Sequence, residues 1–386
     1  MSYTDLLKVY ELWRAGESAY GEGQHRAAAE LYRQATALAD SCEDVPAWYR
    51  GVMRRSFADE LTTLERLREA LAVLSEMPKT TEGGFRACCV YGSMTDHVEI
   101  AVRLPVRLAA FERAYEQADR YFRAAGERDW QSRLLYYRAE VLYRRGLYRE
   151  ALGAAQEGAA QASEGCPKLY PSTHMWGLFR VALALGDPAG ARSYMNRWSQ
   201  KYDREDKHSA VRGAYLYVMA ARLARAEGDA DGAVEWSRAG AQTLAGADWG
   251  EARFLSACEQ VRAYLFAGLH ALAAPLLARL AHARCSESGH RRYRFALLLG
   301  DYHLACARAA AGMPTTDEEF GTAGEPAVGV TRSVESALAR ARRAYGAALK
   351  VGAWIDERLD CSVRTEEVGE RLARLAHVSR ANAAAA

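Results

Sequence analysis

The sequence has little proline and no segment in which Val, Ile and Thr alternate with polar residues. Only nine prolines occur among 386 residues, whereas Ala, Leu, Arg and Glu, which favour helices, are abundant. Strands with one buried face require apolar and polar residues to alternate over several positions, and no such run is present. The composition therefore predicts an all-α protein.

A membrane signal and a dominant charge of one sign are also missing. No uncharged run reaches 18 residues, and the N-terminus does not show a basic segment followed by an apolar one. The net charge is +2, from 51 basic and 49 acidic residues, so the total charge indicates neither a nucleic acid nor a membrane as partner. The basic runs at 290–294 and 340–345 have acidic neighbours, which favours a solvated surface over nucleic-acid contact. We expect a cytoplasmic protein.

No motif for catalysis or cofactor binding is present. The sequence contains no G-x-S-x-G, no G-x-x-x-x-G-K-[ST] and no G-x-G-x-x-G. The eight cysteines form no CxxC pair, which predicts reduced and mostly packed thiols. Glu205 with His208, and Glu287 with His290, have the spacing of metal ligands on one helix face, but both pairs fall at predicted turns. We expect no catalytic residue, no metal and no cofactor.

Glycines recur about every 40 residues through the middle of the chain, between apolar, alanine-rich runs. They are Gly146, Gly186, Gly228, Gly268 and Gly312. A small residue stands five positions after each of the first four, namely Ala151, Ala191, Ala233 and Ala273. A fixed period of this length is typical of a solenoid. We expect each glycine to end a helix in the left-handed conformation, and each alanine to let the next helix pack closely.

These units resemble tetratricopeptide repeats, a family with a small residue at its eighth position, Gly at the fifteenth, Ala at the twentieth, an aromatic or apolar residue at the twenty-fourth and Ala at the twenty-seventh. Near the N-terminus the matches are Gly16, Gly23, Ala28, Tyr32 and Ala35. Further copies match at Ala139, Gly146, Tyr148, Ala151, Ala155 and Gly158, and at Ala221, Gly228, Ala233, Ser237 and Gly240. The period of about 40 exceeds the usual 34 and resembles the repeats of kinesin light chains and of bacterial peptide-sensing regulators. The resemblance implies a right-handed, tetratricopeptide-like superhelical solenoid of antiparallel helix pairs.

Breaks in the repeat pattern divide the chain. Pro78 with the following polar residues forms the first loop, and residues 313–332 are polar and without periodicity, so they predict a long loop. A solenoid also needs a terminal helix that covers its last unit. The predicted parts are 1–78, N-terminal helical repeats; 79–128, a divergent helical repeat or an insert; 129–312, a regular array; 313–332, the loop; and 333–386, a repeat remnant with a capping helix. Whether 46–125 are true repeats stays open.

The resemblance implies that the first helix of each repeat lines a concave groove with its second, fifth, ninth and twelfth positions. Tyr, Trp and Arg dominate these positions here, and these residue types are enriched at binding hot spots. The groove residues obtained in this way are Tyr10, Trp13, Glu17, Tyr20, Tyr136, Glu140, Tyr143, Arg144, Trp176, Arg180, Tyr215, Arg222, Arg225, Arg262, Arg294 and Asp301.

The second half of this groove carries a row of arginines from Arg180 to Arg294. Such a row suits an acidic peptide or a terminal carboxylate; the alternative is that these arginines are solvated or paired with glutamate. Tetratricopeptide proteins that clamp a C-terminal carboxylate use Lys and Asn, and the matching positions here hold Glu, Arg or Tyr. The resemblance therefore does not extend to that subgroup.

The sequence thus predicts a non-catalytic scaffold or adaptor that holds a protein or peptide segment in its concave groove; whether this segment is acidic, as the arginine row suggests, stays open. Two alternatives stay open: a peptide-sensing regulatory protein that acts through a partner, and an enzyme or enzyme partner in a specialised bacterial pathway. The bacterial origin is suggested by the high content of Ala, Arg and Gly. A homo-oligomer is also open.

Overall fold

Sixteen α-helices and no strand make up the described part of the chain in this computed structural model. The structure describes residues 3–42, 45–64, 66–76, 107–162, 171–205, 210–246, 250–283, 289–311 and 334–385, with single residues at 98, 102, 104, 248 and 313. Most of the predicted loop 313–332, and residues 79–97 of the predicted divergent repeat, lie outside this part. None of the helices is both long enough and apolar enough to cross a membrane, among the residues described.

The helices follow one another with short turns. In the N-terminal part they are α1 (Tyr3–Gly21), α2 (His25–Ser41), α3 (Ala47–Thr63), α4 (Leu67–Ser75) and α5 (Leu108–Ala125). The regular array consists of α6 (Arg128–Arg144), α7 (Tyr148–Gln161), α8 (Pro171–Ala184), α9 (Pro188–Glu205), α10 (Ala210–Ala226), α11 (Ala230–Thr243), α12 (Glu251–Phe266) and α13 (His270–Ala283). The C-terminal part holds α14 (Gly289–Ala310), α15 (Val334–Leu359) and α16 (Val363–Ala385).

The turn within each helix pair has the predicted glycine chemistry. The backbone φ angles of Gly146, Gly186, Gly228 and Gly268 are 78°, 74°, 83° and 73°, in the left-handed region that a side chain disfavours. The alanines five positions later, Ala151, Ala191, Ala233 and Ala273, are all fully buried. Gly312 lies outside the described residues. The repeat prediction is therefore confirmed for these four units.

The helices of the array form two layers. Each helix packs against the next one in sequence, and α6, α8, α10, α12 and α14 also pack against one another in succession. We call these five the inner helices and α7, α9, α11 and α13 the outer helices. The core lies between the layers, and small residues allow close approach: a Cβ added at Gly300 of α14 would lie 2.3 Å from the ring of Tyr345 on α15.

The solenoid returns to contact itself after about 220 residues. Asp248, in the turn before α12, accepts a hydrogen bond from the amide of Arg26 at 2.5 Å, and its own amide donates to the carbonyl of Gly23 at 3.1 Å. Further along, Arg364 donates to the carbonyl of Arg144 at 3.2 Å across a separation of 220 residues. Successive superhelical turns thus touch at two places, which we call the turn-to-turn contacts.

Candidate ligand-binding lumen

The inner helices carry twelve of the sixteen predicted groove residues. Tyr136, Glu140, Tyr143 and Arg144 are on α6, Trp176 and Arg180 on α8, Tyr215, Arg222 and Arg225 on α10, Arg262 on α12, and Arg294 and Asp301 on α14. Because residues three and four apart share a helix face, each group presents its side chains on one side. We call the surface that the inner helices share the lumen.

A buried carboxylate joins α6 to α8. Glu140 accepts from Arg144 Nε at 2.6 Å and from Arg180 Nη1 at 2.7 Å, and we call these three residues the Glu140 cluster. Burial alone would raise the pKa of Glu140, but the charges of Arg180 and Arg144 outweigh it and lower that pKa to about 2. Glu140 is therefore ionised throughout the physiological range. Pairing with glutamate, the alternative interpretation of the arginine row, holds for Arg180 and, as described below, for the other arginines of the row, Arg222, Arg225, Arg262 and Arg294.

A second buried carboxylate, Glu259 on α12, was not predicted. Its Oε2 accepts from Arg222 Nε at 2.9 Å and lies 3.7 Å from Arg262 Nη1, while its Oε1 accepts from Arg225 Nε at 2.9 Å and Nη2 at 2.6 Å. The Glu259 side chain is 0% exposed. Burial would raise its pKa, but the three arginines lower it to about 2. We call these four residues the Glu259 cluster. One sequence signal was available, since Glu259 stands three residues before Arg262 on the same helix face.

Aromatic rings separate the two clusters. The guanidinium carbon of Arg180 lies 4.2 Å from the ring centre of Tyr143 and 5.5 Å from that of Trp176. On the other side, the guanidinium carbon of Arg222 lies 5.1 Å from the centre of the Trp176 ring. The ring centres of Trp176 and Tyr215 are 5.3 Å apart in an edge-to-face arrangement. Cation–π contacts of this length are favourable. Trp176 therefore connects the Glu140 cluster to the Glu259 cluster along the lumen.

The lumen keeps an excess of positive charge. The two clusters contain five guanidinium groups against two carboxylates. Burial lowers the pKa of Arg222, and although Glu259 opposes this, the charges of Arg262 and Arg180 add to it and bring the pKa to about 10. Burial is the largest cause of this shift, and the charges of the two neighbouring guanidinium groups add to it. The arrangement can therefore attract an anionic group.

His290 on α14 is also affected by the positive charge of the lumen arginines. Its side chain is 9% exposed, and Nε2 has no hydrogen-bond partner among the described residues. Its pKa lies well below the usual value, because of burial first and then the charges of four arginines. These are Arg144, Arg364, Arg294 and Arg180, which come from helices α6, α16, α14 and α8. Arginines from four different helices thus lie close enough to His290 to affect its pKa.

The last two predicted residues of the lumen are held in pairs. Arg294 Nη1 lies 3.5 Å from Glu251, which also accepts from Arg291 Nε at 3.2 Å. Asp301 accepts from Tyr345 Oη at 2.9 Å and from Arg371 Nε at 2.9 Å, and is 5% exposed. Asp301 is therefore a buried residue and not part of an open surface, because α15 and α16 cover the last inner helix. Glu140, Trp176 and Arg180, which are 8%, 7% and 8% exposed, are buried as well.

The four predicted residues of α1 form a separate group. Tyr10 and Tyr20 are each 45% exposed. Trp13 donates to Ser56 on α3, and Glu17 accepts from Tyr32 on α2. The hydrogen bonds of Trp13 and Glu17 within the described residues are thus with neighbouring N-terminal helices, and they do not join α1 to the arginine clusters.

Among the described residues, histidine side chains form enclosed polar pairs, and no metal-ligand cluster is found. No group of three His, Cys, Asp or Glu side chains there is placed to hold a metal ion. His25 pairs with the carboxylate of Glu60, with 3.0 Å between Nδ1 and Oε2. The two side chains are only 5% and 3% exposed. Gly250 of the next superhelical turn packs over the ring of His25, so this pair is enclosed.

Comparisons with known proteins define the fold. No family model matches the chain, and no curated protein matches it. A solved structure of a Rap protein complexed with competence and sporulation factor is similar over 98% of both chains, with a TM-score of 0.53 and 13% sequence identity. The tetratricopeptide-repeat domain of P58(IPK) is 13% identical and covers 95% of this chain and 98% of its own, with a TM-score of 0.26. The chain is an all-α repeat protein with a tetratricopeptide-like solenoid fold.

Proposed function

We propose that this protein is a non-catalytic scaffold, in a bacterial cytoplasm, that holds an acidic protein or peptide segment in its lumen. The observation that carries the proposal is the excess of guanidinium over carboxylate groups in the Glu140 and Glu259 clusters, arranged around Trp176 and Tyr143. Arginine and aromatic side chains supply most of the binding free energy in many interfaces. A rigid, prearranged surface also reduces the entropy lost when a segment binds.

The electrostatics of the lumen support binding over catalysis. A general acid or base works best with a pKa near the working pH. The pKa values of Glu140 and Glu259 are both lowered to about 2, because adjacent arginines outweigh the effect of burial. These carboxylates stay ionised and hold arginines in place, and they are poor candidates for moving protons.

A regulatory role is the second candidate, and one observation favours it. Arg144 belongs to the lumen through its bond to Glu140, and its backbone carbonyl accepts from Arg364 of the next superhelical turn. A ligand that contacts Arg144 would thus act on a group that also joins two turns. If a ligand binds one spacing of the superhelical turns more tightly than another, its binding increases the fraction of molecules with that spacing.

Capture of the partner from a native lysate at moderate salt, followed by mass spectrometry, tests the proposal. Hydrogen exchange of the isolated complex then locates the partner. We expect a protein or peptide whose binding slows exchange on inner helices α6, α8, α10 and α12. Slower exchange confined to the outer helices would contradict the lumen as the site. A bound metabolite without any protein or peptide would favour an enzyme instead.

A further inference from the structure

Arg262 has hydrogen-bonding capacity that the protein does not use. Within the described part of the chain it makes no hydrogen bond, and its one ion pair, with Glu259, is 3.7 Å long. Its side chain is 25% exposed, although it is surrounded by other charged groups of the lumen. A guanidinium carries five N–H donors in a planar fork that matches a carboxylate or a phosphate. The donors of Arg262 are therefore available to a ligand.

Arg222 stands beside Arg262 with a similar surplus. Both groups reach the same oxygen of Glu259, Oε2, from neighbouring inner helices. Arg222 donates only through Nε to this oxygen, so its two terminal nitrogens are unused among the described residues, and its side chain is 16% exposed. Two partly exposed guanidinium groups that meet at one point can bind the two oxygens of a single anionic group.

We propose that Arg222 and Arg262 form an oxyanion subsite on the lumen side of Glu259, which binds a carboxylate of an acidic peptide. This inference rests on the proposed function and specifies where the acidic segment is held. Glu259 fixes Arg222 through a hydrogen bond at 2.9 Å and attracts Arg262 at 3.7 Å, so that the ligand has less to order. Trp176, 7% exposed and 5.1 Å from the guanidinium carbon of Arg222, supports that guanidinium from the core.

Phosphate has the same chemistry as carboxylate at such a pair, and the test separates the two. The probes are a hexaglutamate peptide with an amidated C-terminus, in which every negative charge is a side-chain carboxylate, and inorganic phosphate. Both are titrated calorimetrically into the full chain at one fixed ionic strength, because surface charges are screened by salt.

The informative variant is Arg262→Gln. Arg262 makes only the long contact with Glu259, so its replacement leaves the hydrogen bonds of that carboxylate to Arg222 and Arg225 intact. Arg292→Gln is the matched control, because Arg292 is exposed and its replacement changes the net charge equally. Arg262→Lys keeps the charge but not the planar fork. Circular dichroism checks that the helical content of each variant equals that of the wild type.

We expect hexaglutamate to bind the wild type and Arg292→Gln equally, Arg262→Gln at least about tenfold more weakly, and Arg262→Lys between them, since hydrogen bonds to charged groups contribute this much. Equal affinity for Arg262→Gln and Arg292→Gln would overturn the subsite. Phosphate that binds more tightly than the peptide, with the same dependence on Arg262, would overturn the assignment to a carboxylate. If hexaglutamate binds no variant while a captured partner still protects the inner helices, the subsite is wrong and the proposed function stands.

Discussion

Glu259 lies at the junction of two inner helices, and three guanidinium groups depend on its single charge. Arg222 and Arg225 come from α10 and Arg262 from α12, all in contact with a side chain that is 0% exposed. A buried charge is tolerated only with partners, and here the dependence is mutual. At the scale of the residue, the lumen is therefore organised by its carboxylates even though arginine dominates its composition.

Replacing Glu259 by glutamine should destabilise the fold by about 3 kcal/mol, because three clustered guanidinium groups lose their counter-charge. Urea denaturation followed by circular dichroism measures the change in the free energy of unfolding. Glu30→Gln is the control, since Glu30 pairs with Arg33 on an exposed surface where both side chains are more than half exposed and such pairs contribute little. Equal stability of the two variants would contradict this view of Glu259.

The stability of the protein should depend on Glu140 at acidic pH. The pKa of Glu140 is about 2 in the folded chain against an ordinary value of 4.5, so the ionised form stabilises the fold above pH 4.5. This contribution, up to about 3 kcal/mol, is lost as the pH falls from about 4.5 to about 2. Denaturation curves across this range should show a shallower loss of stability for Glu140→Gln than for the wild type. Burial raises the pKa of Glu60, so this residue changes the stability with pH in the opposite direction. Because Glu60 is present in both proteins, Glu140→Gln and the wild type are compared at each pH. Parallel pH profiles would contradict the prediction.

The sequence assigned the lumen arginines to successive repeats but did not reveal their partners. The family resemblance assigned Arg222 and Arg262 to the groove-lining positions of their repeats, and in the structure both side chains contact Glu259. The pairing itself spans 37 residues between Arg222 and Glu259, and no local pattern encodes it. The prediction that Asp301 lines an open groove was wrong, because Tyr345 and Arg371, which bond to it, lie 44 and 70 residues further along the chain.

At the scale of the element, the turn glycines do more than end helices. Gly146 and Gly186 have nearly the same backbone, with φ of 78° and 74°. A Cβ added at Gly186 would meet nothing within 4 Å, whereas one at Gly146 would lie 2.9 Å from a methyl group of Val363. The fixed period of the glycines allowed the helix pairs to be predicted, because turn chemistry is local. The second contact of Gly146 is long-range and could not be predicted.

These two glycines provide a matched pair of substitutions. Gly186→Ala should cost about 1 kcal/mol, the penalty of a left-handed residue with a Cβ. Gly146→Ala should cost about 2 to 3 kcal/mol, because the clash with Val363 adds to that penalty. Urea denaturation of both variants gives the difference. An equal loss would mean that Val363 moves away without cost and that the turn-to-turn contact at this point is loose.

At the scale of the whole molecule, the chain departs from the usual behaviour of a solenoid. Repeat proteins are stabilised mainly by contacts between neighbouring units. Here Asp248 bonds to Arg26, and Cys361 and Arg364 contact the carbonyl of Arg144. The turn-to-turn contacts therefore fix the spacing of the superhelix, and with it the width of the lumen.

Removing the side-chain bonds of Asp248 and Arg364 should loosen the superhelix without unfolding its helices, although the amide of Asp248 and the thiol of Cys361 keep their own contacts. In a chain carrying Asp248→Ala and Arg364→Gln, we expect a larger radius of gyration in small-angle X-ray scattering and unchanged helical content. The second change also removes the 2.9 Å ion pair of Arg364 with buried Asp356, whose carboxylate keeps the hydrogen bonds from the amides of Arg364 and Thr365. Arg33→Gln, at an exposed site, is the control. An unchanged radius would show that packing of neighbouring helices sets the spacing alone.

The same contacts have a consequence for the synthesis of the chain. The turn at Gly23 finds its partner only when Asp248 has left the ribosome, and the end of α6 finds its own only when residues 361–364 follow, close to the C-terminus. Domains otherwise begin to fold from the N-terminus while translation continues. The first helix pair of this protein therefore forms early but stays incompletely covered until Asp248, 222 residues after Arg26, has been made.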